Sequence, residues 1–105
     1  KGFDLMPAVT RQGDICTGHE CFPPRASTAG SPNVFVNDTP AHRQTDGWAA
    51  HTCTHPEIPH GTHAGTLAAG SGTVYCNGLQ LGRIGDPVDC GSSVATGSGN
   101  VFAGG

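Results

Sequence analysis

Gly70-Ser71-Gly72-Thr73-Val74-Tyr75-Cys76-Asn77-Gly78-Leu79-Gln80-Leu81-Gly82-Arg83-Ile84-Gly85-Asp86 is the stretch that decides the fold. It opens with turn residues ahead of a β-branched residue and an aromatic, the pattern of a turn leading into a strand. Asn77-Gly78 is a strong hairpin signal. Beyond it the chain runs through Leu79-Gln80-Leu81 into Arg83-Ile84-Gly85-Asp86. Both landmarks recur. The Arg-x-x-Asp form appears again as Arg11-Gln12-Gly13-Asp14 and Arg43-Gln44-Thr45-Asp46. The Gly-Ser form appears again as Gly30-Ser31-Pro32-Asn33-Val34-Phe35 and Gly97-Ser98-Gly99-Asn100-Val101-Phe102. After Val34-Phe35-Val36 the chain carries Asn37-Asp38, a weaker hairpin signal. Self-similarity at fixed landmarks is the mark of a repeat architecture. The chain is therefore three turn-then-strand units, each joined to the next by a hairpin, and the predicted fold is all-β: a small cone of short hairpins about a pseudo-threefold axis.

Composition agrees. A chain of 105 residues forms one domain, and at that size about two thirds of the unfolded surface is buried on folding, so the core is thin and another staple is expected. Seventeen Gly and eight Pro with a single Trp and a single Tyr describe a turn-rich chain rather than a helical one. Met6-Pro7-Ala8-Val9 reads as a natural beginning, so residues 1–5 are set aside as an extension and the domain is assigned to residues 6–105. The first residues lack the apolar core of a signal peptide, and no stretch approaches the roughly twenty apolar residues of a membrane span. A net charge of −3 with only five Lys plus Arg weighs against nucleic acid as a partner.

Five cysteines and six histidines are the most unusual part of the composition. An odd cysteine count without a secretory signal points to metal ligation or free thiols before a complete disulfide framework. The third unit is the shortest and supplies a ruler: Asp86 reaches Gly97 in eleven residues, against sixteen and twenty-four in the first two units. Cys90 lies seven residues before Gly97, His63 seven before Gly70, and Pro23, which cannot ligate through a side chain, seven before Gly30. His19 and His51 each lie five residues after the Asp of their unit. Threefold folding would bring His19, His51, His63 and Cys90 towards one axis, away from the hairpins. Three imidazoles and one thiolate suit tetrahedral zinc, with iron the alternative for a sphere richer in histidine. His55 or His60 could replace a neighbouring ligand, and His51-Thr52-Cys53-Thr54-His55 could chelate by itself. Cys16, Cys21 and Cys76 read as small buried apolar groups, and His42, inside a hairpin, as a non-ligand.

These phrases carry a resemblance. Pro7-Ala8-Val9-Thr10-Arg11-Gln12-Gly13-Asp14, Pro40-Ala41-His42-Arg43, Gly30 through Asn37, and Leu81-Gly82-Arg83-Ile84-Gly85-Asp86-Pro87 are similar to the repeats of PAAR proteins, from about Met6 to the C-terminus. Those proteins sit at the tips of type VI secretion spikes and contractile phage baseplates. The resemblance implies a cone with zinc near its apex, held by three His and one Cys. It implies a non-enzymatic, monomeric cap on a trimeric β-helical spike, assembled in the bacterial cytoplasm, delivered outward without a signal peptide and in transient contact with a target membrane. Phe35, Val36, Val74, Tyr75, Val101 and Phe102 supply apolar surface for that contact; because alternate strand residues face opposite ways, part of the set is expected inside. Thr45 in place of Gly, and Gly72 and Gly99 in place of Pro, depart from the family pattern. Two other readings stand beside this one: a zinc-dependent hydrolase, for which Glu20 and Glu57 are the nearby candidate bases, and a free-standing zinc-binding interaction module.

Overall fold

A computed structural model describes residues 6–53 and 61–105. Among the described residues, six two-residue strands form three antiparallel pairs: β1 (Phe35–Val36) with β2 (Thr39–Pro40), β3 (His51–Thr52) with β4 (Thr62–His63), and β5 (Tyr75–Cys76) with β6 (Leu79–Gln80). The predicted hairpins are β1–β2 and β5–β6. Their central residues, Asn37-Asp38 and Asn77-Gly78, all have positive φ, as the tight hairpin turn requires.

A third hairpin of the same kind is built from the two ends of the described chain. Ala8 bridges Phe102, the Val9 amide donates to the Val101 carbonyl at 2.9 Å, and the Ala103 amide donates to the Pro7 carbonyl at 3.1 Å. Residues 101–103 thus play the part of β1 and β5, and residues 7–9 the part of β2 and β6. The three hairpins are stitched into a ring by the bridges Arg11 to Ala41, Arg43 to Leu81 and Val9 to Arg83. Inside that ring three backbone bonds close on themselves. Thr10 N–H donates to Gly82 at 3.0 Å, Gly82 N–H to His42 at 2.9 Å, and His42 N–H to Thr10 at 3.2 Å.

Each repeated landmark has a local cause. The Arg of every Arg-x-x-Asp holds its Asp through both the backbone amide and the guanidinium, at 2.8–3.2 Å in all three units. Burial opposes the charge on Asp14 and Asp46, but hydrogen bonds from Arg11 and Arg43 prevail and hold both pKa values below the ordinary carboxylate range. The buried Ser31, Ser71 and Ser98 each accept, at the hydroxyl, the amides two and three residues on, tying off the turn before the strand. The glycine before each serine lies against the neighbouring strand. A Cβ at Gly97 would sit 2.6 Å from the Val9 carbonyl and one at Gly30 2.9 Å from that of Ala41, so only Gly permits the approach.

The apolar core is split by the central backbone ring. On the hairpin side lie Val9, Val36, Ala41, Cys76, Leu81 and Ala103; on the loop side lie Cys16, Trp48, Leu67, Val88 and Val94. Cys16 and Cys76 are buried, in line with their sequence reading. His42 is fully buried at the ring and packs edge-on against Trp48. Its Nδ1 lies 2.8 Å from the Ala29 carbonyl, which can only accept, so Nδ1 carries the proton.

Two predictions follow from this packing. In Arg-x-x-Asp the third position has positive φ in every unit: Gly13 at 94°, Thr45 at 78° and Gly85 at 93°. Thr45 is exposed and β-branched in a region that L-residues avoid. Thr45→Gly is therefore expected to raise stability by about 1 kcal/mol, read as a shift in the denaturant midpoint. Burial lowers the pKa of His42 from 6.5, although the Ala29 carbonyl and the charges of Asp46 and Asp14 pull upward against Arg43. The unfolded chain then takes up the proton first, so the contribution of His42 is full above pH 6.5 and is lost as the pH falls below it. Long-range ¹H–¹⁵N spectra of the folded protein should show the ring less than half charged at pH 6.5, with Nδ1–H as the neutral tautomer; a ring half charged or more at that pH would contradict the burial.

Candidate metal centre

On the loop side of the backbone ring, three excursions run between the Asp of each unit and its returning strand. The excursions are anchored alike: the carbonyls of Asp14, Asp46 and Asp86 accept the amides of Ser27, Leu67 and Val94 at 2.9–3.0 Å. With their feet fixed, the loops lean together. The structure brings His19, His51, His63 and Cys90 into one group, their ligand atoms all within 4.8 Å of one another.

Each donor is placed by a different local device. His19 stands on a tight turn in which it exchanges backbone bonds with Phe22, at 2.7 and 3.0 Å, across Glu20 and Cys21. His51 and His63 are direct cross-strand partners on β3 and β4. Cys90 sits in the shortest excursion, at the turn where the Gly91 amide donates to the Val88 carbonyl. Phe22 is buried among the three imidazoles, with ring centroids 4.9 Å from His19, 5.0 Å from His51 and 4.2 Å from His63. It walls the group on one side.

The nitrogens converge in a way that pairwise hydrogen bonds cannot wholly explain. His63 Nε2 lies 3.0 Å from His19 Nε2 and 2.8 Å from His51 Nε2, while Cys90 Sγ lies 3.9 Å from His51 Nε2. His51 Nδ1 lies 2.8 Å from the Pro23 carbonyl and so carries the proton of the neutral ring, leaving Nε2 as a bare lone pair. The single site on His63 Nε2 can satisfy one neighbour, not both. Four possible ligand atoms within 4.8 Å of one another are what a cation satisfies. The separations approach the edge of about 3.3 Å that two zinc-bound nitrogens would span. Partial burial, with the neighbouring His51 and His19, lowers the pKa of His63 and favours the neutral ring a metal needs. The group could hold a metal ion, and the nitrogen-rich, thiolate-containing donor set fits one.

The alternative ligands His55 and His60, and the candidate base Glu57, lie outside the described residues. His42 stands apart from the group, in the core. Cys21 departs from its sequence reading. It is half-buried, not an apolar core group, and forms a disulfide with Cys53, the Cα atoms 4.9 Å apart. Cys53 is thereby diverted from the chelating run proposed around His51. Bridging residues 32 apart removes unfolded-chain entropy worth about 3–4 kcal/mol in the loop-closure account. The register carried a signal for this pair, since Cys21 lies two residues after His19 and Cys53 two after His51. Pro23 takes part through its backbone, not its side chain. It occupies the ligand position of the ruler and contributes its carbonyl, which orients His51 as an outer partner orients a metal-bound imidazole.

The proposed docking residues divide between two faces. Phe35, Tyr75 and Phe102 point outward, with exposures of 56, 57 and 51%, joined by the exposed Val34 and Val74. Val36 is buried in the core, and Val101, partly buried, packs against it. Strand alternation is the cause: Val36, Cys76 and Ala103, one step beyond the aromatics, all turn inward.

Residues 8–96, which include all four donors, match the PAAR motif family. The chain is similar to the NAD(P)(+) glycohydrolase toxin Tse6 of Pseudomonas aeruginosa, 41% identical over 81 residues, covering 72% of this chain and 18% of the relative. It is equally similar to the (p)ppApp synthetase toxin Tas1 of another strain of that species, with the same identity and coverage. The chain thus spans less than a fifth of the length of these relatives. With three copies of Arg-x-x-Asp, three Gly-Ser turns and a family match over most of its length, this chain belongs to the PAAR-motif family.

Proposed function

We propose that this domain is the metal-pinned tip of a contractile injection machine, seated on a trimeric β-helical spike. The observation that carries the reading is the set of three equivalent exposed aromatics, Phe35, Tyr75 and Phe102, presented by one chain with internal threefold repetition. A monomer of this kind offers nearly the same chemistry three times over, which is what three identical subunits require of a single cap. The blunt end of a trimeric β-helix exposes strand edges and apolar side chains, and an apolar face covers them. Membership of the PAAR family supports the spike-tip assignment, and the type VI apparatus is favoured over a phage baseplate because both relatives are named as toxins.

The proposed role is mechanical rather than catalytic. His19, His51, His63 and Cys90 would fill all four positions of a tetrahedral zinc, or of iron as the alternative, leaving none for substrate or an activated water. Such an ion stiffens a loop cluster whose own apolar core is a handful of side chains. The toxin activities named for the relatives belong to proteins of which this chain matches only 18%, so the matched part is read as the shared tip. A zinc hydrolase would need an open coordination position, and a free-standing metal module would have no use for the exposed aromatic face.

The metal reading predicts one zinc or iron per chain by elemental analysis, with protein atoms alone in its coordination sphere by X-ray absorption. Cys90→Ser or His63→Ala should each lower the melting temperature by at least about 10 °C. No bound metal, or a metal-bound water, would remove the structural role. Docking is tested separately, since Asp at Phe35, Tyr75 or Phe102 would set an unpaired charge against an apolar partner surface. These variants should lose co-purification with a trimeric β-helical spike while keeping their metal. Binding equal to wild type would overturn the spike-tip reading.

A further inference from the structure

The disulfide is placed with respect to the metal donors in a way that neither core packing nor docking accounts for. Cys21 follows His19 by two residues and Cys53 follows His51 by two. The bond between them therefore links two of the four donors through very short backbone paths. His19 and His51 belong to the two longest excursions, with sixteen and twenty-four residues between landmarks. Cys90 belongs to the shortest, with eleven, and has no such support. The bond thus falls on the two longest excursions.

Retention of a four-ligand ion depends on how its donors are restrained. An ion leaves stepwise: one donor lets go, and it is either recaptured or followed by the next. The chance of recapture rises with the effective concentration of the freed donor, which falls as its loop lengthens. A covalent bond two residues from each imidazole keeps both in place while one is momentarily unbound. Both cysteines are half-buried residues rather than members of the sealed core.

We propose that Cys21 and Cys53 form a redox latch on the metal centre, whose dithiol form exchanges the ion readily and whose disulfide form retains it. The inference rests on the reading of His19, His51, His63 and Cys90 as metal ligands. Closure is thiol–disulfide exchange. The thiolate of one cysteine attacks a sulfur of a small-molecule disulfide, releasing one thiol, and the second cysteine displaces the other. Two cysteine thiols and one external disulfide become the Cys21–Cys53 bond and two external thiols; zinc keeps its oxidation state. In a reducing compartment the latch is open and the ion can be loaded. In an oxidising one it shuts.

The test uses the full chain loaded with zinc(II), prepared either as the disulfide with oxidised glutathione or as the dithiol with a phosphine that is then removed. Zinc loss to a chromogenic chelator should be at least about tenfold slower from the disulfide form. The double variant C21S/C53S should lose zinc at the dithiol rate whether or not oxidant is supplied. Cobalt(II) in place of zinc should give the same absorption bands in both forms, which assigns the effect to retention and not to a change of ligands. Equal loss rates, a double variant that retains zinc like the disulfide form, different cobalt bands, or no Cys21–Cys53 peptide in a mass map of the oxidised protein would each overturn the proposal. Should the double variant fail to fold, reduction of the native sequence carries the same comparison. If the cross-linked peptide is present but neither form takes up zinc, the metal reading itself fails and the latch falls with it.

Discussion

Three backbone hydrogen bonds at the centre of the molecule, running between Thr10, His42 and Gly82, hold the rest in place. Each residue donates to one neighbour and accepts from the other, so the ring is complete only when all three units are present. It lies just ahead of the Arg of each Arg-x-x-Asp and just after each returning strand. The side chains at the three positions differ in size. His42 fills the interior, Thr10 takes less room, and a Cβ at Gly82 would meet Leu67 Cδ2 at 2.7 Å and Thr10 Cγ2 at 2.9 Å. The sequence repeat is symmetrical on the surface and asymmetrical on the axis, where only Gly fits at position 82 beside Leu67 and Thr10.

Closure of that ring requires the chain to return to its start. Residues 101–103 pair with residues 7–9 as the counterpart of the two hairpins, and polar contacts at the open end of that pair copy those at the other two turns. Arg11 donates to Asn37 and Arg43 to Asn77 at 3.2 and 3.0 Å; Arg83, in the same relation, donates to the carbonyl of Gly104 at 3.0 Å. Asn77 reaches back to Asn33 and Asn37 to Asn100, both at 2.9 Å, while Gly104 receives the hydroxyl of Ser71. A backbone carbonyl thus stands where a side-chain amide stands twice. Exposed aromatics and buried small residues then fall at the same steps in all three hairpins, and a single chain acquires a threefold apolar face.

The opposite side of the ring obeys another economy. The loops there have few apolar residues, and the second core cluster is Cys16, Trp48, Leu67, Val88 and Val94. What draws the loop tips together is polar and covalent: convergent imidazoles with a thiol, the Pro23 carbonyl on His51, and the Cys21–Cys53 bond. A fold this small has too little apolar surface to specify loop positions by burial, and directional bonds do so instead.

By itself the sequence determined the number of units, the two hairpin turns, the all-β class and the identity of the four converging donors. These were legible because each depends on local chemistry repeated in register: positive φ at Asn-Gly and Asn-Asp, the serine that ties its own turn, and equal spacings from an Asp or a Gly to a His or Cys. The tertiary structure decided what depends on residues distant in the chain. It joined the two ends into the third hairpin, set His42 in the core rather than in a hairpin, and paired Cys21 with Cys53. It also turned Val36 inward while leaving Phe35 out. Local pattern states which residues can make a turn or offer a lone pair; which of them meet is settled by ring closure, because only the closed ring fixes the distances between loops that no short stretch of sequence encodes.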